Sequence, residues 1–362
     1  MREVLLKELN NSDVDWLVAV GHRQEIAPDT ILLREGQESD RLYILLEGVV
    51  SVIAAASHNP LARAFAALEG TETAGKEIAR LSGGETIGGI PFVDFRPLAA
   101  TVKAMERSTV LSISRGQLAA KLQQDIGFAA RFYRAIAILF CDRLQDAMAR
   151  LGRSERSQGQ PLRDVLYVLG QLNDSDIDWM MAAGTPKKIP ARTVLVREGG
   201  PIDALYILLS GTMSVSVAED IRNPLVRAFA AIEGNDIPER EIAKISKGEI
   251  VGETPFIDSR LPCTTVQALE DSLVLSIPRS LLAAKLHQDI GFAARFYQVI
   301  ATLLSDRLQG TLAKFGYGKR VYTQGQPLDD NVEYDDELDA NLLERMALAG
   351  TRFDWILQRV AI

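Results

Sequence analysis

Two kinds of hydrophobic pattern follow one another along the chain. In the first half, Thr30–Leu33, Leu42–Leu46, Val49–Ile53, Glu77–Leu81, Ala100–Ala104 and Thr109–Ile113 are brief, β-branched or alternating runs separated by Gly, Asp or Pro. Such punctuation predicts the strands of a small barrel or sandwich. From Ser114 onward the period changes. Phe128, Phe132, Ile136, Leu139, Phe140, Leu144, Met148 and Leu151 stand three or four residues apart, which predicts a long helical segment with Ser114 as an N-cap. A short amphipathic helix precedes the strands. The long apolar stripe has to be buried, against its own barrel or against the same helix of a second copy, and the pattern leaves both open.

This whole order is written twice, at a spacing of about 164 residues. Leu9–Trp16 returns as Leu172–Trp179, Arg34-Glu35-Gly36 as Arg197-Glu198-Gly199, Leu42–Leu46 as Leu205–Leu209, and Asp125–Tyr133 as Asp289–Tyr297. The helical stripe returns as Phe292, Phe296, Ile300, Leu303, Leu304, Leu308, Leu312 and Phe315. Residues 152–161 are polar, rich in Gly and Ser, and read as an exposed linker. The expected organisation is therefore one domain over 1–151, a linker over 152–161, a homologous domain over 162–318, and a connector with a helical tail over 319–362. The segment from Leu338 to Gly350 loosely echoes Leu172 to Gly184, as a truncated third copy of the opening helix or as chance helical patterning.

Composition narrows the function. The 362 residues carry 40 Lys+Arg against 48 Asp+Glu, a net charge of -8, which is not the footprint of a general nucleic-acid binder. No apolar run reaches the roughly 18 residues that span a bilayer, and the first residues lack a signal-peptide core, so the expected compartment is the cytoplasm. Two cysteines, Cys141 and Cys263, are too few for a disulfide framework or a thiolate cage. The three histidines, His22, His58 and His287, have no ligand-like spacing, so no metal site is expected. A phosphate-cradling loop followed by Lys, a nucleophile elbow and a Cys/His pair at catalytic spacing are all missing from the sequence, so a non-enzymatic protein is expected.

Four fragments in fixed order then point to a family. Leu33-Arg34-Glu35-Gly36 is followed by Leu42–Gly48, then by Leu81–Gly88, then by Pro97–Ala104. The second copy presents Leu195–Gly199, Leu205–Gly211, Ile245–Glu253 and Thr264–Ala268. Their order and spacing resemble the cyclic nucleotide-binding domain family. The resemblance covers both repeats and implies a mainly β fold with α: two tandem jelly-roll β-barrels, each flanked by N-terminal helices and a long C-terminal helix. It also implies a phosphate-binding cassette, made of a Gly-Glu pair, a short helix and an Arg-x-Ala-Ser/Thr-Val run. In that cassette helix N–H groups and the arginine receive the phosphate, and the glutamate accepts from a ribose hydroxyl.

Carried onto the second repeat, the resemblance makes Gly252, Glu253, Thr254, Arg260, Thr264 and Thr265 the expected ligand-binding residues. Pro262 occupies the arginine position, and the nearest guanidinium is that of Arg260. The first repeat departs further. Its counterparts are Gly88, Gly89, Arg96, Ala100 and Thr101, with Gly89 at the glutamate position and Leu98 at the arginine position. Both repeats shift the arginine alike, to Asp94-Phe95-Arg96 and Asp258-Ser259-Arg260. Two readings stand side by side: a remodelled anion site, or loop residues paired with one another.

Two further features bear on partners. Residues 59–69 and 223–233, opened by Asn-Pro and followed by Gly, read as short helices inserted between strands. They offer either an interaction surface or a flap over their own barrel. Asp329, Asp330, Glu333, Asp335, Asp336, Glu337 and Asp339 form an acidic connector before a tail holding Phe353 and Trp355. No basic recognition helix follows, so no DNA is expected. The tail reads as docking in a groove of its own chain or on a partner. The function expected is a sensor that binds cyclic AMP, cyclic GMP or a related small anion, principally in the second repeat. It would pass that event through the long helices to self-association or to a protein partner. The alternative is a scaffold whose barrels no longer bind nucleotide.

Overall fold

The structure, a computed structural model, describes residues 4–35, 37, 39–55, 75–87, 100–151, 169–218, 239–258, 260–314 and 340–360. The chain divides into two compact units, each holding one pair of sheets.

The first repeat opens with helices α1 (Val4–Glu8) and α2 (Asn11–Val20). A reciprocal cap starts α2: Asn10 Oδ1 accepts from the Asp13 N–H at 2.9 Å, and Asp13 Oδ2 accepts from the Asn10 N–H at 3.0 Å. Eight strands follow, namely β1 (His22–Ile26), β2 (Ile31–Leu33), β3 (Arg41–Glu47), β4 (Val49–Ala55), β5 (Gly75–Ser82), β6 (Thr86–Ile87), β7 (Thr101–Ala104) and β8 (Ser108–Ser114). They form two antiparallel sheets in the orders β1-β8-β3-β6 and β2-β7-β4-β5, which is the jelly-roll arrangement. Leu33, Leu45, Val50, Leu81, Ile87, Val102 and Val110, drawn from both sheets, make the core between them. Strand β8 is buried on its other face too, with Leu111 and Ile113 on the side where helices lie against it. The sequence pattern misses β1 and β6. The first is an edge strand whose first four residues are exposed, and the second is two residues long.

Helix α3 (Arg115–Gln124) starts at Ser114, whose Oγ accepts from the Gln117 N–H at 3.3 Å. Asp125 then breaks the helix and caps the next, α4 (Ile126–Leu151), accepting from the Phe128 N–H at 2.8 Å. Phe128, Phe132, Ile136, Leu139, Phe140 and Leu144 are all buried within the single chain. Phe128 meets Trp16 of α2 edge-on at 5.5 Å and stacks on Phe132 at 5.6 Å. A buried ion pair fastens α2 to α4: Arg131 Nε donates to Asp13 Oδ2 at 2.6 Å and its Nη2 to Oδ1 at 2.9 Å. Asp13, only 2% exposed, thus serves as cap and as counter-ion at once.

The second repeat reproduces this plan. Helix α5 (Asp174–Ala183) precedes β9 (Thr185–Ile189), β10 (Val194–Val196), β11 (Ala204–Ser210), β12 (Met213–Ala218), β13 (Glu239–Ile245) and β14 (Ile250–Val251). The short helix α6 (Thr254–Ile257), β15 (Thr265–Ala268), β16 (Ser272–Pro278), α7 (Arg279–Gln288) and α8 (Ile290–Lys314) follow. The sheet orders, β9-β16-β11-β14 and β10-β15-β12-β13, match those of the first repeat. Asp176 and Arg295 repeat the clasp at 2.6 and 2.8 Å, and Trp179 meets Phe292 at 5.3 Å.

A last helix, α9 (Ala340–Val360), belongs to this second unit. Arg352 fixes it there. Its Nη1 donates to the carbonyls of Leu169 and Leu172 at 2.7 and 2.5 Å, and its Nε and Nη2 donate to Asp174 Oδ1 at 2.9 and 2.7 Å. Ala349, Phe353 and Ile356 on one face of α9 are buried. Of the two readings of the tail, the structure thus shows docking on its own chain. The inserted segments 59–69 and 223–233, the linker 152–161 and the acidic connector lie outside the described residues. Among the described residues, no helix is long and apolar enough to cross a membrane, and no three His, Cys, Asp or Glu side chains are grouped to hold a metal ion.

Candidate ligand-binding cassette of the second repeat

Strand β14 ends at Val251, and the chain turns through Gly252 with φ +87. A side chain could not follow that path, because a Cβ there would lie 2.8 Å from the Ala204 carbonyl oxygen and 3.5 Å from the Tyr206 ring. The turn carries Glu253 into helical backbone, and its residue is 6% exposed. The Glu253 carboxylate does not cap α6; instead its carbonyl accepts from the Phe256 N–H at 3.0 Å. Pro255 stands in the first turn of α6 and has no N–H, and the Asp258 N–H closes the helix onto the Thr254 carbonyl at 3.3 Å. Thr254 itself is half-buried.

Arg260 is engaged locally. Its main-chain N–H donates to Asp258 Oδ1 at 3.0 Å, and its Nε donates to Asp258 Oδ2 in a close ion pair. This is the pairing of loop residues that the sequence offers as one of two readings. Pro262 is buried, and its carbonyl accepts from the Gly199 N–H at 2.8 Å. Thr264 is half-buried, while Thr265 is buried and its Oγ1 accepts from the Glu198 N–H at 3.2 Å. Glu198 Oε2 in turn accepts from the Ala218 N–H at 3.0 Å, so the repeated Arg-Glu-Gly organises a turn beside the cassette.

In the first repeat the Thr101 Oγ1 accepts from the Glu35 N–H at 3.1 Å, as its counterpart does, and Ala100 is half-buried just before β7. Gly88, Gly89 and Arg96 lie outside the described residues.

Two side chains that the sequence reading passes over stand at this site. Tyr206 on β11 packs against the barrel core beside Gly252, and burial raises its phenol above the ordinary tyrosine range. Tyr297 on α8 is buried, and its Oη donates to the Phe256 carbonyl at 3.2 Å, which joins the long helix to α6. Both tyrosines recur in the first repeat as Tyr43 and Tyr133; that recurrence is the signal by which they can be found. Burial pushes the Tyr133 phenol up to about 12. The first repeat has a further tie, from buried Arg143 of α4, whose Nη2 donates to the Thr86 carbonyl at 2.5 Å just before its cassette.

The family model described as cyclic nucleotide-binding domain matches residues 23–125 and 186–289, together more than half of the chain. No curated protein matches the sequence. Among solved structures, the regulatory domain of Toxoplasma gondii PKA with cAMP is 16% identical at a TM-score of 0.28, the match covering 80% of this chain and 89% of that one. A regulatory subunit of a cAMP-independent protein kinase A from Trypanosoma cruzi bound to guanosine is 16% identical at a TM-score of 0.28, over 80% of this chain and 82% of that one. A cyclic nucleotide-binding domain from Methylobacillus flagellatus KT is 21% identical at a TM-score of 0.37, over 43% of this chain and 83% of that one.

Proposed function

Since the chain belongs to the cyclic nucleotide-binding domain family, we propose that it is a non-enzymatic regulatory protein. In this reading its second repeat takes a small ribose-bearing ligand, the class that includes cyclic nucleotides, and reports it through α8. The supporting observation is the hydrogen bond from Tyr297 to the Phe256 carbonyl, made between two buried residues. Helix α6 has four residues and is closed by few main-chain bonds, so it is the element a ligand can reorder. Any shift of α6 moves the acceptor of a hydrogen bond whose donor sits on the long helix. The ligand then acts by differential affinity for two arrangements of α6 and α8, and the output is a changed surface for self-association or for a protein partner.

Glu253 receives the ribose hydroxyls in this reading, Gly252 gives the backbone room to approach, and Thr254, Thr264 and Thr265 border the site. The test is hydrogen exchange of the full chain with and without saturating cyclic AMP, cyclic GMP, adenosine or guanosine. Slower exchange is expected over 254–257 and 290–303 with at least one of them. Tyr297→Phe is expected to keep binding but lose the response of α8, whereas Glu253→Gln is expected to weaken binding. If none of the four at millimolar concentration alters heat or exchange, the reading is wrong.

A further inference from the structure

The opening helices of the two repeats differ in one stripe of side chains. We infer that in the first repeat this stripe docks an amphipathic helix of a partner protein, seated as α9 is seated on the second repeat. Such docking requires no ligand in either cassette.

Residues 8–21 and 171–184 are counterparts at an offset of 163, and they agree in burial at every position but two. One is Val14, half-buried where its counterpart Ile177 is 2% exposed, and the other is Val18, 63% exposed where Met181 is half-buried. Just ahead of them Leu6 is 64% exposed, whereas its counterpart Leu169 is 1% exposed. Apolar residues stand at all three positions in both repeats, so the first repeat keeps the stripe but leaves it in water. Val14 and Val18 are one turn apart and share a face of α2. The residues that α2 buries in its own domain are Asp13 and Leu17, so the domain itself leaves the stripe uncovered.

In the second repeat α9 occupies this place. Arg352 Nη1 donates to the Leu169 and Leu172 carbonyls, and Ala349, Phe353 and Ile356, spaced i, i+4 and i+7, are buried as one apolar stripe. The guanidinium also pairs with Asp174, whose counterpart in the first repeat is Asn11. An amide oxygen can still accept there, but without the charge it holds an arginine less strongly. The carboxylate therefore keeps the chain's own α9 on the second repeat and leaves the stripe of the first to a helix from another protein. The chemistry of that helix follows from α9: a small residue, an aromatic one turn on, an aliphatic a further turn on, and a basic side chain beside the aromatic.

The probe is a labelled peptide with the sequence of residues 340–360, titrated with the full chain and followed by fluorescence polarisation, with sedimentation to give the oligomeric state. Saturable binding of one peptide per chain is expected. Leu6→Glu and Val18→Glu, both at exposed sites that leave the fold intact, are each expected to weaken it about tenfold. Arg352→Met within the peptide is expected to weaken it as well. Asn11→Asp in the chain, which restores the carboxylate, is expected to tighten it about threefold. Binding that ignores Leu6→Glu and Val18→Glu reports exchange with the chain's own α9 and overturns the inference, as does the absence of saturable binding at about 1 mM. A chain that sediments as a dimer and returns to monomer with the same two substitutions assigns the stripe to a second copy and overturns the partner helix.

Discussion

Replacing Asp176 with asparagine tests how the helices are fastened to one another. The carboxylate is 1% exposed and accepts from the Asn173 N–H at 2.8 Å and from Arg295 at 2.6 and 2.8 Å. Asparagine keeps the volume and one acceptor, but it removes the charge and turns an NH2 group toward the guanidinium. Losing one partner of a buried pair typically costs about 3–5 kcal/mol. Arg295 stays 28% exposed and recovers some hydration, and the asparagine oxygen keeps part of the cap, so the expected loss lies near the lower end, about 3 kcal/mol. That corresponds to more than a hundredfold in the folding equilibrium of the second repeat. Trp179, edge-on to Phe292 at 5.3 Å, reports on this joint by fluorescence during urea unfolding. Trp16→Phe and Trp355→Phe leave it as the single reporter. Arg295→Met and the double variant complete a cycle whose coupling is expected at about 2 kcal/mol. Strict additivity of the two single losses would refute the clasp as the cause, as would a loss below about 1 kcal/mol for Asp176→Asn.

Arg352→Met is expected to release α9, since four hydrogen bonds to Leu169, Leu172 and Asp174 vanish; limited proteolysis should then cut within 340–360 first. Phe296→Ala opens a cavity at a fully enclosed site and is expected to cost about 3–5 kcal/mol in urea unfolding, and Phe132→Ala the same in the first repeat. Gly252→Ala forces a Cβ to within 2.8 Å of the Ala204 carbonyl at positive φ, so it is expected to lower stability by about 1–3 kcal/mol and to weaken ligand binding. The hydrogen bond from Lys285, with that from the Phe292 N–H, holds Asp289 below the usual carboxylate range. Its stabilisation is therefore full above the unfolded-state value and fades as pH falls through the lower native one. Asp289→Asn is expected to flatten that part of the acid unfolding curve, and Lys121 gives Asp125 the same role at the start of α4.

The barrels are legible in the sequence because their inner and outer faces follow a strict period, and because two copies show the same runs. Strands β1 and β9 escape such reading for a physical reason. Each is an edge strand with four exposed residues, so no buried face imposes alternation, and pairing with β8 or β16 alone holds it in place. The helix cap at Ser114 is local, and local chemistry can be read. The clasp is not local: Asp13 lies in α2, and its partner Arg131 stands beyond the entire barrel. In the cassette, residue types and order mark Gly252, Glu253 and the missing arginine. Whether Arg260 faces a ligand or Asp258 depends on rotamers and loop backbone that no spacing encodes. The recurrence of Tyr297 as Tyr133 marks the position in the sequence, but its role emerges only when the Phe256 carbonyl is placed beside it.

The duplicated clasp has a cost during refolding. Asp13 with Arg131 and Asp176 with Arg295 are chemically the same joint, flanked by the same Trp-Phe edge contact and the same lysine over both rings. A nascent α2 therefore has no means, at this joint, of telling α4 from α8, and neighbouring domains of like sequence are prone to exchanging such parts. Emergence in order protects the chain, because α4 is made and docked before α8 exists. Refolding from denaturant removes that protection, and the swapped product should be most abundant when both repeats are unfolded together and least when the first is kept folded.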